Sequence, residues 1–204
     1  WFRKEINTIE DLKGLKFRIG GIGGQILARV GVVPQQIAAG EIYPALERGT
    51  IDAAEFVGPY DDEKLGFAKI AKNYMFPGWW EGSAMLHFVV NTEKWASLPR
   101  AYRWIVVQAC DATNAWLLAK YDAVNAPALK RLVAAGAILK PFPIPVLEAC
   151  HKAAQDHYAE IAGTNPLFKK ALDSQNAFKA EALPWWQISE YAFDTFSIAM
   201  RNKG

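Results

Sequence analysis

Arg18, Glu55, Glu81 and the pair Trp79-Trp80 are the residues whose types and spacing could do chemistry together. Arg18 stands on an otherwise apolar stretch, Lys16-Phe17-Arg18-Ile19. A guanidinium stays charged and offers a planar fork that matches a carboxylate in two bonds, so in a cleft it clamps an anion. The alternative is an arginine that reaches the strand end and pairs with a structural carboxylate, Glu55 and Glu81 included. Glu55 closes Asp52-Ala53-Ala54-Glu55, and Glu81 lies in Gly78-Trp79-Trp80-Glu81-Gly82. Two carboxylates in one crevice repel unless a cation or a proton intervenes, which fits a hard metal ion bound by oxygens or an acid/base pair. Two unrelated surface glutamates are the alternative. Trp79-Trp80 falls at a turn rather than on a periodic face, which marks it as functional and the other tryptophans as packing. The stretch reads as a site for a small anion, with or without a metal ion.

Other motifs point away from catalysis. Gly20-Gly21-Ile22-Gly23-Gly24 is not a dinucleotide fingerprint, because position 26 is Ile, and no Gly-Lys-Ser/Thr follows for a phosphate loop. It reads as a tight strand-to-helix turn that lets a ligand approach the backbone. His87 reads as a core residue, and His151 and His157 as helix-surface groups. Neither a zinc-protease motif nor a nucleophile elbow is present. Cys110 and Cys150 read as two buried small apolar residues, with a disulfide as the alternative. Lys and Arg number 23 against 21 Asp and Glu, scattered, so nothing argues for nucleic acid or an anionic membrane. No apolar run approaches the roughly 20 residues that cross a bilayer. Residue 1 is Trp, which predicts that the chain begins inside a longer polypeptide.

The elements that must position these residues follow from periodicity. Thr8 is placed to cap a short helical turn that stops at Lys13-Gly14. Strands are predicted at 15–19, 32–37 and 51–57, with helices at 25–30 and 41–48, the latter carrying Ile42, Ala45 and Leu46 on one face and closed by Gly49. This β-α-β-α-β order calls for a parallel sheet, with Arg18 and Glu55 near the strand ends that face the ligand crevice. Beyond it come a helix at about 61–72, an apolar strand at 83–91, and a long helix from Leu98-Pro99 to about residue 126, broken or kinked by Pro127. A short edge-like strand falls within 133–140. Helices follow at about 146–163, 165–181 and 185–201, the last opened by Pro184, with Trp186, Ile188, Tyr191, Phe196 and Ala199 on a face expected to bury.

Leu12-Lys13-Gly14-Leu15-Lys16-Phe17-Arg18 and the run Glu41-Ile42-Tyr43-Pro44-Ala45-Leu46-Glu47-Arg48-Gly49-Thr50-Ile51-Asp52-Ala53-Ala54-Glu55 resemble the extracytoplasmic solute receptors of tripartite ATP-independent periplasmic (TRAP) transporters. The resemblance extends through Val57-Gly58-Pro59-Tyr60-Asp61-Asp62 and Pro77-Gly78-Trp79-Trp80-Glu81-Gly82, toward the subfamily that binds 2-oxo and 2-hydroxy monocarboxylates with a cation. It implies an α/β, two-lobed periplasmic binding protein of mostly parallel sheets flanked by helices, here a fragment lacking most of the first lobe and its signal peptide. Residues 1–56 and 97–150 would form the second lobe, 57–96 a strand and helix segment of the first, and 151–204 C-terminal helices packing across lobes or at a dimer interface. The family's substrate arginine falls on Arg18. The subfamily's cation ligands fall on the Glu55 side chain, the backbone carbonyl of Phe56, where the subfamily has Trp, and the Glu81 side chain.

The resemblance further implies no enzyme but a periplasmic receptor that captures a small 2-oxo monocarboxylate, pyruvate-like, and delivers it to a membrane permease. Arg18, Phe56, Trp79 and Trp80 would contact substrate, and Na⁺ or Ca²⁺ would be the one bound cation. A homodimer through the C-terminal helices follows from swapped-helix relatives. Competing readings are a receptor for a 2-hydroxy acid such as lactate with calcium, an enzyme using Glu55 and Glu81 as acid and base on a small acid, and a sensor or structural paralogue.

Overall fold

Strand β1 (Lys16–Arg18) is the middle of a three-stranded parallel sheet, flanked by β2 (Val33–Gln35) and β3 (Ala53–Ala54), in a computed structural model that describes residues 1–84 and 86–201. Phe17 stands opposite Pro34 on one side and Ala53 on the other. The crossovers are helices α1 (Gly21–Arg29) and α2 (Ala39–Arg48), so the predicted β-α-β-α-β unit is present. Ile42, Ala45 and Leu46 are the buried face of α2. Ala53 belongs to one apolar cluster, with Phe2, Leu15, Phe17, Leu27 and Val146, and Ala54 to another, with Trp1, Leu46, Ile51, Phe67 and Leu132. Successive residues of a strand face opposite ways, so β3 is covered on both faces, which is how parallel sheets are built.

Helix α2 stops where Gly49 turns left-handed, at φ 72°, and its N–H bonds back to Ala45 and Leu46 carbonyls. A Cβ there would also lie 2.7 Å from Arg3 Nη1. Gly49→Ala is therefore expected to destabilise the fold by about 1 kcal/mol, the usual cost of a left-handed non-glycine residue, read as a lower urea midpoint with unchanged slope.

Around this unit the first 153 residues form one compact body, and 154–204 a second. In the first, α3 (Pro59–Leu65) follows β3, a 3-10 turn (Phe67–Lys69) leads to β4 (Asn73–Phe76), and β4 pairs in parallel with β5 (Ile138–Pro141). Between them run α4 (Thr92–Ser97), capped by Asn91, whose side chain accepts from Lys94 N, and the 35-residue α5 (Arg100–Ala134). Helix α6 (Ile144–Thr164) brings Val146 and Cys150 into the core. The second body is helical. It includes α7 (Pro166–Trp186), a wider π turn (Gln187–Tyr191) and α8 (Ala192–Arg201).

Several expectations need correction. Helix α1 begins at Gly21, so the glycines fill its first turn rather than a separate loop. Helix α3 starts at Pro59 and stops at Gly66 (φ 73°), well short of residue 72. Residues 83, 84 and 86–91 form no strand, and Leu86, Phe88 and Val89 are exposed; Met85, part of that predicted strand, lies outside the described residues. An apolar run becomes a strand only beside a partner, and β4 and β5 pair with each other instead. His87 is correspondingly exposed rather than core. Cys110 is exposed on α5, whereas Cys150 is buried, its thiol pushed up to about 11 by that burial; both cysteines are free.

Pro127 does not break its helix, and Pro184 does not open one. Helix α5 continues through Pro127 to Ala134, because α3 grips it on both sides of that residue through Tyr121, Asn125 and Arg131. Pro184 lies inside α7, and regular α geometry gives way only at the π turn after it. The face containing Trp186, Ile188, Tyr191, Phe196 and Ala199 is exposed rather than buried.

Candidate functional site

β1 ends at Arg18 and its parallel neighbour β3 at Ala54, so Arg18 and Glu55 leave the sheet along the same carboxyl edge. Arg18 Nη1 donates to Glu55 Oε1 at 2.6 Å and to the Glu55 backbone carbonyl at 2.8 Å, and Nε donates to the Ile37 carbonyl at 3.2 Å. The guanidinium carbon stands 5.6 Å from the centre of the Phe56 ring. Only 19% of the Arg18 side chain and 14% of the Glu55 side chain meet solvent, so this pair is shielded far more than a surface ion pair. Both sequence readings of Arg18 therefore bear on it: it does pair with Glu55, and it does so at the crevice edge.

Burial raises the Glu55 carboxyl above its ordinary range; the Arg18 charge pulls it down, and the charges of Glu81 and Asp62 push it up again. Desolvation outweighs the arginine. The Trp1 ammonium, like Arg18, pulls the Glu55 carboxyl down.

The tryptophans reach this sheet from the turn after β4. Trp80 meets Phe17 edge-on at 6.1 Å, and Trp79 meets Trp80 in the same way at 5.5 Å. A Cβ on Gly23 would lie 3.5 Å from Trp80 Cβ and 3.2 Å from Ile19 Cδ1, so the glycine leaves the room that the indole and the strand occupy. The structure therefore brings Arg18, Glu55 and Phe56 into contact and Glu81, exposed, into electrostatic range. The indoles join β1 through Phe17.

Residues not singled out in the sequence support the turn that follows Glu55. Asp62 is 2% exposed; its Oδ2 accepts from Trp1 Nε1 at 2.7 Å and from the Tyr74 hydroxyl at 3.1 Å, and its Oδ1 from Gly58 N at 3.3 Å. Burial raises its carboxyl, and those hydrogen bonds act the other way. On the neighbouring residues of α3, the Tyr121 hydroxyl donates to Asp61 at 2.7 Å, Tyr60 N donates to Asn125 at 3.0 Å, and Arg131 holds Glu63 in two bonds of 2.7 Å. The bond to Asp61 leads the effects that push the Tyr121 hydroxyl up to about 12. An aspartate in a helical first turn ordinarily reads as a solvated group favoured by the helix dipole. Its burial here depends on Trp1 and Tyr74, to which no local pattern points.

The family model described as DctP, bacterial extracellular solute-binding protein, family 7, matches residues 2–165. The chain belongs to that family. A monocarboxylate 2-oxoacid-binding periplasmic protein of Nostoc sp. (strain PCC 7120) is 44% identical over 197 residues, which are 97% of this chain and 54% of that protein. A TRAP transporter solute-binding protein of Bordetella bronchiseptica RB50, a mixed-occupancy dimer with copurified calcium and picolinate in one active site and an apo second site, is 47% identical with a TM-score of 0.94. The match covers all of this chain and 60% of that one. A TRAP periplasmic solute-binding protein of Pseudoalteromonas atlantica T6c with bound sodium and pyruvate is 38% identical, with a TM-score of 0.90, over 95% of this chain and 59% of that one. The chain thus spans a little over half the length of these relatives. Their fold bears out the α/β binding-protein architecture. The family binds solutes, which removes the ground for reading Glu55 and Glu81 as an acid/base pair on a substrate.

Among the described residues no group of three or more His, Cys, Asp and Glu could by itself hold a metal ion. Glu55, Glu81 and the Phe56 carbonyl nevertheless fit a hard cation by donor type, all oxygen. They supply fewer than the about six to eight oxygens that Ca²⁺ takes, so further oxygens must come from bound ligand, water or elsewhere.

Proposed function

We propose that this chain forms part of the periplasmic receptor of a TRAP-type transporter that captures a small 2-oxo monocarboxylate, pyruvate-like, and delivers it to a membrane permease. The observation that carries the reading is the half-buried Arg18–Glu55 pair at the carboxyl edge of β1 and β3, with the charge of Glu81 acting on Glu55. Nε and Nη1 of Arg18 are committed to Ile37 and Glu55, which leaves Nη2 to meet the carboxylate of the ligand. The Glu55 side chain, the Phe56 carbonyl and the Glu81 side chain would hold Na⁺ or Ca²⁺, which when bound supplies positive charge to the 2-oxo oxygen. Selection for a 2-substituted acid then comes from the need for two oxygens at a fixed separation. Phe56, under the guanidinium, and Trp79 and Trp80 would enclose a short apolar tail. The exposed apolar side chains from Phe178 to Met200 suit a homodimer contact, in keeping with the dimer of the Bordetella relative.

The test is tryptophan fluorescence of the complete natural polypeptide, titrated with pyruvate, longer 2-oxo acids and lactate, with and without Na⁺ or Ca²⁺. A saturable change on adding a 2-oxo acid, lost when cations are chelated or replaced by a large organic cation, is the expected result. A folded protein that answers none of these acids would overturn the ligand class.

A further inference from the structure

We propose that Gly23 is a positioning residue that sets how long a 2-oxo acid the site admits, by letting Trp80 sit back from the ligand; the role rests on reading Arg18 as the carboxylate clamp and the indoles as the wall around the tail. The glycines at the start of α1 answer different needs. Gly21 is left-handed, at φ 59°, a conformation that glycine adopts at little cost. Gly24 lets the helix lie close on the sheet, since a Cβ there would come within 3.3 Å of the Ile19 carbonyl oxygen and of Pro34 Cβ. Gly23 answers neither need. Its backbone is not left-handed, and the three atoms nearest to a Cβ there, beyond the helix itself, belong to side chains: Ile19 Cδ1 at 3.2 Å, Trp80 Cβ at 3.5 Å and Ile19 Cγ1 at 3.7 Å. Glycine is a poor helix former, and what this one leaves is room for the indole.

Trp80 is seated on several sides. It stands edge-on to Phe17 at 6.1 Å, Trp79 rests edge-on against it at 5.5 Å, and its ring lies 3.7 Å from where a Gly78 Cβ would be. The contact with Gly23 is at Trp80 Cβ, where the side chain leaves the backbone, so bulk added there moves the whole indole and no rotation about its side-chain bonds absorbs the push. Phe17 and Arg18 are successive residues of β1 and face opposite sides of the sheet, so Trp80 reaches the carboxyl edge from the Phe17 side and the clamp from the other. An acid held at Arg18 then extends its tail over the strand end toward the indoles. Phe17 blocks the displaced indole toward the sheet and α1 blocks it behind, which leaves the edge, in the path of the tail. A wall moved forward excludes long acids before short ones. A merely structural lesion weakens all of them together.

Calorimetric titration of the complete natural polypeptide and of Gly23→Val with pyruvate, 2-oxobutyrate and 2-oxopentanoate, at saturating Na⁺ or Ca²⁺, tests this. The expected result is that affinity for 2-oxopentanoate relative to pyruvate falls about tenfold in the variant, the lower end of what one methylene decides in an apolar pocket. An unchanged or reversed ratio in folded Gly23→Val means that Ile19 gives way rather than the indole; it overturns the role and leaves the receptor reading intact. Should Gly23→Val not fold, or the unaltered protein take pyruvate alone, Trp80→Phe decides, since a smaller ring draws the wall back without adding bulk. A gain of about tenfold for the longer acids relative to pyruvate, or newly measurable binding of 2-oxobutyrate, supports the role, and an unchanged preference overturns it. If the unaltered protein binds no 2-oxo acid at all, this role and the receptor reading fall together.

Discussion

Arg18→Ala in the complete natural polypeptide is expected to weaken pyruvate binding by about 2–5 kcal/mol, the range for removing one member of a desolvated charge pair. Three effects add. The ligand carboxylate loses its counter-charge, Glu55 loses the 2.6 Å bond that fixes it, and the carboxylates of Glu55 and Glu81 are left without the guanidinium beside the incoming anion. Arg18→Lys should fall between the two, because an ammonium keeps the charge but cannot serve Ile37, Glu55 and a ligand in one plane. Isothermal titration at saturating cation measures both. Weakening of less than tenfold in a folded Arg18→Ala protein would mean that the arginine is only the structural partner of Glu55.

Phe17→Ala is the substitution expected to cost the fold most, about 3–5 kcal/mol for a large aromatic side chain removed from a close-packed interior. Phe17 is 1% exposed on the central strand, with Phe2 at 5.2 Å and Trp80 at 6.1 Å between ring centres. The gap would be walled by rings that stiff backbone holds in place, since Phe2 is itself bridged to Ala53 and Asn73. Chemical denaturation gives the loss, and the emission of Trp80 should shift to the red in the native baseline. A loss below about 1 kcal/mol would show that Phe2 and Trp80 collapse into the space, and that the indole pair is less firmly seated than its contacts imply.

The fold is legible in the sequence where its signals are local. The period-two run around Phe17, the spacing of Ile42, Ala45 and Leu46, and the stop at Gly49 each act within one element, and sheet, helix and cap are where they were expected. Arg18 and Glu55 could be paired because the parallel crossover rule sends both strand ends the same way. Signals that depend on a distant partner misled. The apolar run at 83–91 has strand composition without a strand beside it, and His87 is exposed with it. Strand β4 is absent from the elements that periodicity predicts, because its partner β5 lies more than sixty residues on. Helix α4 has a serviceable cap in Asn91-Thr92-Glu93 but only six residues, too few to show a helical period. Pro127 does not end α5 because the helix is held from outside, by α3, and no reading of its own residues includes that grip.

That grip has a mechanical consequence. The bonds from α3 to Tyr121, Asn125 and Arg131 all lie in the C-terminal part of α5, while Arg100 stands roughly 30 Å away along the axis at ~1.5 Å per residue. Helix α5 is thus held like a lever whose fulcrum is α3. A tilt of about 5° at the fulcrum sweeps the far tip through roughly 3 Å, which turns a displacement too small to break a hydrogen bond into one comparable to the width of an atom. Tyr102, Trp104 and Ile105, exposed near that tip, are among the side chains such a stroke would carry farthest.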